Sequence, residues 1–323
     1  MLLLAVLAVA FGAGSRWLAR PLPLPGPTWS FDVRPGASLA AVARDLEAAA
    51  VVPDARILVA LARWRGVDRS IKAGNYEIAQ GITLPRLLDK LTQGDVTQTS
   101  LTVVEGSTYA QLRAALAAHP GIMRPAEPLT DAELARKLDL PGGSLEGWFF
   151  PDTYFFVAGS GELALLRRAH ALMRDHLDAA WRARAPDLPL KDPYEALILA
   201  SIVEKETGRD ADRPLIAAVF VNRLRLGMRL QTDPAVIYGM GSRFDGNLRK
   251  RDLEADSPYN TYTRGGLPPT PIALPGLRSL AAATQPPRTS DLYFVARGDG
   301  SSEFSASLGD HNRAVARFQK GGR

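Results

Sequence analysis

Residues 192–208 read DPYEALILASIVEKETG, which has the pattern of a buried helix that ends in two carboxylates. Asp192 is suited to cap this helix, Pro193 to occupy its first position, and Glu195 to complete a capping box. The interior of the segment is almost wholly apolar, and Gly208 is placed to end the helix. The segment therefore predicts a helix enclosed by the core of its domain.

The two carboxylates at the end of this helix are Glu204 and Glu206. Residues two positions apart lie about 200° apart around a helix, so the two side chains cannot face one cleft. Beside apolar residues at a helix C-terminus, desolvation and the helix dipole both raise the pKa of a carboxyl group. A general acid that works near neutral pH needs such a pKa. Glu206, which follows Ile202 and Val203, is the better candidate; the alternative is that both glutamates are surface residues of a last turn.

The chain downstream of this helix alternates regular segments with a long loop. A second helix is predicted from about Asp212 to Gly227, with Pro214 in its first turn and Asn222 and Arg223 as its polar residues. Residues 257–271, SPYNTYTRGGLPPTP, contain too much Pro and Gly for a helix or a central strand. Long ordered loops of this kind often carry function. The remaining predicted elements are a strand at Leu292–Ala296 and a helix at Asp310–Gln319.

Three segments in the N-terminal third share one pattern, namely residues 36–46, 81–91 and 106–116. Each reads Gly, any residue, Ser or Thr, an apolar residue, and then apolar residues three and seven positions further on. The hydroxyl is suited to cap a helix, and the spacing gives that helix one buried face. We therefore expect strand–turn–helix units over residues 29–120. The first unit resembles a LysM module, a βααβ unit that binds N-acetylglucosamine polymers; a packing or spacer domain is the alternative.

The N-terminus is an apolar run, MLLLAVLAVAFGA, over residues 1–13. As a helix it covers roughly 20 Å, and only when extended through Leu18 could it just cross a bilayer. A single-pass membrane anchor is the favoured interpretation, and a cleaved signal peptide or a buried core helix are the alternatives. The basic residues follow the run, which is opposite to the orientation expected for an external C-terminal domain. The Pro-rich residues 21–27 predict a stiff spacer.

Composition excludes several classes of function. The chain has 323 residues and no cysteine, which excludes disulfides, thiolate catalysis and cysteine-based zinc sites. The net charge of +5 favours anionic surroundings, but the basic residues are scattered rather than clustered with aromatic ones, which argues against nucleic acid. No metal site or other cofactor is predicted, because the four histidines lack ligand spacing: His119, His170, His176 and His311.

Several motifs stand in order along the chain: GWFFPD (147–152), ASIVEKET (200–207), VFVNRL (219–224), LQTDP (230–234), YNTY (259–262), GLPP (266–269), LYFVA (292–296) and HN (311–312). Taken in this order, they closely resemble the membrane-anchored endolytic murein transglycosylase family (MltG-type). One departure is Ser302 in SSEF (301–304), because the family often has a Gly-Gly-His before that Phe. The aromatic run over residues 147–156 begins with the first of these motifs. Such a run is typical of a core, or else of the wall of a sugar-binding cleft.

The resemblance implies an α+β fold and a peptidoglycan lytic transglycosylase. Glu206 would be the catalytic residue, cleaving MurNAc–GlcNAc β-1,4 bonds within glycan strands to give 1,6-anhydroMurNAc ends and so terminating elongation. The predicted parts are a membrane anchor (1–20), a linker (21–28), a small LysM-like βααβ subdomain (29–100) and a catalytic domain (101–323) with a buried catalytic helix. The candidate substrate-binding residues are Glu204, Asn222, Gln231, Thr232, Asp233, Tyr259, Asn260 and Tyr262; their alternative role is to fix loops by hydrogen bonds.

The expected partners are peptidoglycan glycan strands and cell-wall synthases (penicillin-binding proteins). The expected location is the bacterial inner membrane, spanned once, with the catalytic domain on its outer side. Two other functions stay open at this point. One is a hydrolytic muramidase that uses Glu206 with Asp233 or Glu204 as a second carboxylate. The other is a non-catalytic peptidoglycan-binding scaffold that recruits synthases.

Overall fold

The computed structural model describes residues 12, 14–34, 36–94, 98–123, 129–140 and 143–320. The chain divides into two compact units. The first contains residues up to 100 together with 119–124 and 155–162, and the second contains 101–118, 125–154 and the chain from 163 onward. The two short inserts of the first unit lie within the range that sequence analysis assigned to the catalytic domain.

The regular elements form a mixed α+β fold with small two-stranded sheets. In chain order they are β1 (Thr28–Val33), α1 (Leu39–Ala48), α2 (Ala55–Trp64), β2 (Gly74–Ala79), α3 (Leu84–Gln93), β3 (Gln98–Thr102), α4 (Tyr109–Ala118), β4 (Ile122–Met123), α5 (Asp131–Lys137), β5 (Thr153–Val157), β6 (Ser160–Gly161), α6 (Glu162–Arg182), α7 (Pro193–Glu206), α8 (Arg213–Arg225), α9 (Asp233–Met240), α10 (Lys250–Glu254), α11 (Leu277–Thr284), β7 (Tyr293–Ala296), β8 (Ser302–Ser305) and α12 (Leu308–Val315).

The first unit contains a βααβ arrangement. Strands β1 and β2 pair antiparallel, with Phe31 opposite Tyr76. The Tyr76 ring is fully buried, and its hydroxyl donates to the Lys72 carbonyl (2.6 Å). Helices α1, α2 and α3 pack their leucines and valines against this ribbon to form one core. Strands β4 and β6 pair parallel within the same unit.

The repeated Gly–x–Ser/Thr–apolar pattern starts a helix each time, as predicted. Ser38 caps α1, because its hydroxyl accepts from the Ala41 N–H (3.3 Å). Thr108 precedes α4, and its hydroxyl accepts from the Gln111 N–H (3.2 Å). Thr83 stands at the cap of α3 but makes no side-chain cap bond, and Pro85 in the first turn favours the helix instead.

Helix α7 runs through the core of the second unit, and residues 196–203 are all buried. The Asp192 carboxylate accepts from the Glu195 N–H (2.9 Å), as predicted for the cap. The predicted capping box is wrong, because the Glu195 carboxylate accepts from the Lys191 N–H instead (2.7 Å). The helix ends at Glu206, because Thr207 has an extended backbone. Gly208 therefore lies one residue beyond the C-cap and does not itself end the helix.

The rest of the second unit surrounds this helix. Helix α8 has Pro214 in its first turn, as predicted, and α11, which sequence analysis did not predict, packs against both α7 and α8. Residues 257–276 form no helix or strand. Strands β7 and β8 pair antiparallel. The closing helix α12 begins two residues earlier than predicted and continues as a π-helical turn over Ala316–Lys320.

The aromatic run is a core element. In the second unit, Trp148, Phe149, Phe150 and Tyr154 are all buried. The Trp148 ring stacks on Tyr194 of α7, with ring centroids 5.7 Å apart. The buried part of the run therefore supports α7 by packing, as predicted for a core element.

Within the described part of the chain, no helix has both the length and the apolar character that crossing a membrane requires. Nearly all of the apolar run over residues 1–13 lies outside the described residues.

Candidate active site

The carboxyl group of Glu206 lies at the end of α7 and accepts a hydrogen bond from Thr232, which directly precedes α9. The Thr232 hydroxyl donates to Glu206 Oε1 at 2.5 Å. Thr232 is itself buried and tied to Thr261 by two bonds, its N–H donating to Thr261 Oγ1 (2.9 Å) and its carbonyl accepting from the same hydroxyl (3.3 Å). The Pro/Gly-rich loop therefore positions the hydroxyl that faces Glu206.

The electrostatic surroundings of Glu206 suit a group that exchanges a proton near neutral pH. Burial among protein atoms, and to a smaller extent the negative charge of Asp233, raise the pKa of Glu206, which lies at about 7 when all its surroundings act together. The hydrogen bond from Thr232 and the positive charge of Arg223 act in the opposite direction. Because desolvation outweighs these two, the carboxyl group is poised between its acid and base forms at neutral pH.

Gln231 is one of the predicted site residues and has a strained backbone. Its φ of 54° places it in the left-handed region, where a residue with a Cβ costs of order 1–3 kcal/mol. The Gln231 N–H donates to the Thr261 carbonyl (3.1 Å), which holds this conformation. The side chain is exposed, and its Oε1 accepts from Arg223 Nη1 (3.2 Å). Gln231 directly precedes Thr232, so its backbone conformation sets the direction of the chain at Thr232.

Arg223 is a buried cation of the site that the predicted set lacked. Its Nε donates to the Leu292 carbonyl (2.7 Å), and its Nη1 donates to the carbonyls of Arg229 (3.1 Å) and Leu230 (2.9 Å). The guanidinium also lies over the Tyr293 ring, 5.2 Å from the centroid. Burial lowers the pKa of Arg223. The signal for this role was an arginine that follows the apolar stretch over residues 215–221 of α8.

Asp233 and Tyr262 form a second pair at the site. The Tyr262 hydroxyl donates to Asp233 Oδ1 at 2.5 Å. Burial, and then the bond to Asp233, raise the pKa of Tyr262. Asp233 is exposed and begins α9. The structure therefore brings Thr232, Asp233 and Tyr262 together with Glu206.

Glu204 points to other partners, as the two-residue spacing predicted. Its Oε1 accepts from Arg213 Nη2 (3.0 Å), and its Oε2 accepts from the Gly276 N–H (2.9 Å). The side chains of Arg213 and Glu204 are only 7% and 5% exposed. This buried ion pair joins the end of α7 to α8 and to the loop before α11, and Glu204 as a substrate contact stays a prediction.

Three further predicted residues bind protein groups that fix loops. The Asn260 amide donates to the carbonyls of residues 252, 253 and 255 (3.2, 3.0 and 2.6 Å), and its oxygen accepts from the Tyr262 N–H (2.9 Å). The Tyr259 hydroxyl bonds Thr270 Oγ1 (2.9 Å). The Asn222 amide donates to the carbonyls of residues 289 and 291 (both 3.0 Å). These bonds match the loop-fixing alternative, and substrate contacts by these residues stay predictions.

A second carboxyl group with a raised pKa lies elsewhere in the unit, at Glu146. It accepts from the Tyr109 N–H with both oxygens (2.9 and 3.1 Å) and from the Tyr238 hydroxyl (3.1 Å). Burial raises its pKa to about 7. Sequence analysis missed this residue, which precedes the GWFFPD motif. Its bond to Tyr238 ties α4 to α9, the helix that carries Asp233.

Ser302, where this chain lacks the histidine that the resemblance suggested, is the first residue of β8. Its backbone N–H donates to Asp212 Oδ2 (2.8 Å), which ties the strand to the start of α8. A histidine of the same unit, His311, stacks on Tyr293 of β7 with ring centroids 5.2 Å apart. The Tyr293 ring thus contacts both His311 and Arg223.

Two proteins named for the same activity are similar to this chain over most of its length. The endolytic murein transglycosylase of Bacillus subtilis (strain 168) is 31% identical over 311 residues, covering 90% of this chain and 85% of the relative. The endolytic murein transglycosylase of Streptococcus pneumoniae (strain D39) is 29% identical over 318 residues, covering 87% of this chain and 56% of the relative.

A solved structure is similar over almost the same extent. The crystal structure of a yceG-like protein from Listeria monocytogenes, at 2.6 Å resolution, matches with a TM-score of 0.56 and 29% identity. The match covers 89% of this chain and 98% of that one. The model of the YceG-like family matches residues 31–317, which include α7, the Thr232 segment and the loop that holds it. Since that match takes in most of the sequence and every residue placed at the site, the chain belongs to the YceG-like family.

Proposed function

We propose that this chain is an endolytic murein transglycosylase, which cleaves the MurNAc–GlcNAc β-1,4 bonds of peptidoglycan within the glycan strand. The names of the relatives from B. subtilis and S. pneumoniae support the reaction class. The observation that carries the proposal is the carboxyl group of Glu206, hydrogen bonded by Thr232 and with its pKa raised to about 7. Such a group can both give and take a proton at neutral pH.

In the first step, protonated Glu206 gives its proton to the glycosidic oxygen as the bond to MurNAc C1 breaks. Burial favours the neutral acid before reaction. The carboxylate formed by this transfer is stabilised by the Thr232 hydroxyl and by the charge of Arg223, since both favour the anion. The same surroundings thus serve both protonation states of one residue.

In the second step, the Glu206 carboxylate takes the proton of the C6 hydroxyl of the same MurNAc residue. The C6 oxygen then forms a bond to C1 and closes a 1,6-anhydro ring, and Glu206 is protonated again. One carboxyl group suffices because the nucleophile is intramolecular and already positioned. Ordinary glycosidases use two carboxyl groups instead.

The other site residues are proposed to hold the sugar. Gln231 and Asp233 have exposed side chains, and Tyr262 is half-buried beside them. These three are the proposed contacts to sugar hydroxyls and the N-acetyl group. Glu204, Asn222, Tyr259 and Asn260, whose polar atoms bind protein groups, are proposed to act by holding the loops around the substrate.

The products of digestion test the reaction. We expect mass spectrometry of purified glycan strands treated with the full chain to show internal cleavage with 1,6-anhydroMurNAc at the new ends, because no water enters the proposed second step. A parallel digest with a muramidase that uses water gives the reference masses, which are 18 Da heavier per new end since each gains one water. New ends that carry reducing MurNAc would contradict the proposal.

A hydrolytic muramidase is the second candidate, and Asp233 is the observation that favours it. This exposed carboxylate lies close enough to Glu206 to raise its pKa by charge. Glu204 is the weaker second carboxylate, because both of its oxygens already have protein partners. A non-catalytic scaffold is the third possibility, and it predicts no cleavage at all in the same digest.

Replacing Thr232 with valine is expected to move the pH dependence of cleavage to higher pH. The Thr232 hydroxyl lowers the pKa of Glu206, so its loss raises that pKa above the wild-type value near 7. Because the first step needs protonated Glu206, the rate falls as pH rises through this pKa, and the falling limb should shift upward. Initial cleavage rates from pH 5 to pH 9 measure the shift. Thr232→Ser, which keeps the hydroxyl, is the control and should leave the limb in place; an unmoved limb in Thr232→Val would contradict the assignment.

We further propose that the apolar run over residues 1–13 attaches the chain to the inner membrane as a single-pass anchor, with the second unit on the outer side.

The βααβ arrangement of the first unit supports a LysM-like role in binding N-acetylglucosamine polymers. A groove of about 370 Å³ lies beside the β1–α1 turn and the segment before β2, where Ser38, Arg63 and Asp68 offer polar groups. Cell-wall synthases are the proposed protein partners, because their product is the substrate.

A further inference from the structure

The first unit has an open apolar groove of about 710 Å³ between residues 14–19, α2 and the start of α3. Its lining is largely apolar and includes Leu18, Ile57, Leu61 and Trp64. Trp64 at the end of α2 is 76% exposed, and Trp17 is 37% exposed. Exposed tryptophans beside an apolar groove are uncommon on a surface that faces only water, and they mark sites of interaction.

Exposed arginines flank both tryptophans. Arg16 is exposed directly before Trp17, and Arg20 is exposed three residues after it. Arg63 and Arg65 are exposed on either side of Trp64. Arg65 is paired with Asp89 at 2.8 Å in a contact that is itself solvent-accessible. Tryptophan with flanking arginine is the composition of protein segments that lie at the boundary between lipid headgroups and acyl chains.

The groove continues from the apolar N-terminal run of the sequence. Residues 14–18 are helical, form one wall of the groove and directly follow residues 1–13. A helix rises ~1.5 Å per residue, so a run inserted in a bilayer holds Trp17 within roughly 10 Å of the membrane surface. Trp64 lines the same groove as Leu18 and is therefore held near that surface as well.

We propose that this face of the first unit docks on an anionic lipid bilayer, with Trp17 and Trp64 in the interface and Arg16, Arg20 and Arg65 on lipid phosphates. This inference rests on the proposed membrane attachment and goes beyond it. The bilayer would bind this face and orient the first unit, whereas an anchor alone only tethers the chain. A second copy of this chain is the less favourable occupant, since pairing two such faces would bring their exposed arginines together.

The lack of cysteine allows a direct test in the full chain, because one introduced cysteine is labelled uniquely. Ala60, an exposed residue that lines the groove on α2, is replaced by cysteine and spin-labelled. Glu47→Cys on α1, also exposed, is the matched control. The chain is reconstituted in vesicles of phosphatidylethanolamine and phosphatidylglycerol, and the accessibility of each label to oxygen and to a water-soluble nickel complex is measured.

We expect the label at residue 60 to be several-fold less accessible to the nickel complex than the label at residue 47, and more accessible to oxygen. Adding Trp64→Asp to the Ala60→Cys protein should restore access, and uncharged phosphatidylcholine vesicles should weaken the protection. Equal nickel access for both labels in a chain that still floats with the vesicles would overturn docking while leaving the membrane attachment intact. Spin–spin broadening between labels at residue 60 would show a second copy in the groove and would also overturn it.

A chain that does not float with vesicles would overturn the membrane attachment and the docking that depends on it. Glycan cleavage, assayed on soluble strands, would remain as a separate result. Failure of this inference is therefore distinguishable from failure of the proposed reaction.

Discussion

Replacing Glu206 with glutamine is expected to lower the rate of glycan cleavage by about 10³-fold, because the variant lacks the group that donates and then takes the proton. Glutamine keeps the shape of the side chain and can still accept from the Thr232 hydroxyl. The fold should therefore be retained. The measurement is the rate of appearance of 1,6-anhydro ends in purified glycan strands at pH 6.

The same substitution is expected to stabilise the protein above neutral pH. The folded-state pKa of Glu206 lies near 7, above its ordinary value of 4.5, so its contribution to stability is fully present below pH 4.5, falls as pH rises, and is lost once pH has passed 7. Glutamine carries no charge and removes this loss, which amounts to about 1–3 kcal/mol at pH 8. Thermal unfolding of both proteins at pH 5 and pH 8 measures it. Glu146 has a similarly raised pKa in both proteins, and its effect cancels in the comparison.

Asp233→Asn is the matched control for activity. The proposed reaction uses no second carboxylate, so this variant should cleave within about tenfold of the wild type at pH 6. Removing the negative charge of Asp233 should also lower the pKa of Glu206 and move the falling limb to lower pH. A loss in Asp233→Asn as large as that in Glu206→Gln would support the muramidase. Cleavage by Glu206→Gln at more than a tenth of the wild-type rate would contradict the catalytic assignment.

The second large effect is expected on stability, when Arg213 is replaced by methionine. The substitution leaves the Glu204 carboxylate buried without its cation, which costs about 3–5 kcal/mol. For a unit of this size we expect the midpoint of thermal unfolding to fall by roughly 10 °C. Calorimetry of the full chain measures the change in the transition of the second unit.

A double substitution separates the ion pair from simple loss of packing. Glu204→Gln keeps an acceptor for the Gly276 N–H and removes the charge that Arg213→Met leaves unpaired. The double variant should therefore be more stable than Arg213→Met alone. Effects that simply add, or a loss below about 1 kcal/mol for Arg213→Met, would show that the pair does not stabilise the end of α7.

Local patterns predicted several of the helices, because a capped helix with one buried face depends on residues close together in sequence. The hydroxyl of Ser38 and the apolar positions after it define a capped helix with one buried face, and α1 begins where that pattern begins. The same reasoning failed at Glu195, whose carboxylate reached the Lys191 N–H instead. Two backbone donors lie within reach of that side chain, and the local pattern does not rank them.

The sequence by itself determined that α7 is buried, because its interior is almost wholly apolar, and that it ends in two carboxylates that diverge, because helical periodicity separates residues two positions apart. Only the tertiary structure decided what each carboxylate meets. Glu206 meets Thr232, 26 residues away, which is fixed in turn by Thr261, whereas Glu204 meets Arg213 and Gly276. The pKa of a carboxyl group depends on the atoms packed around it, and these come from distant parts of the chain that no local periodicity brings together.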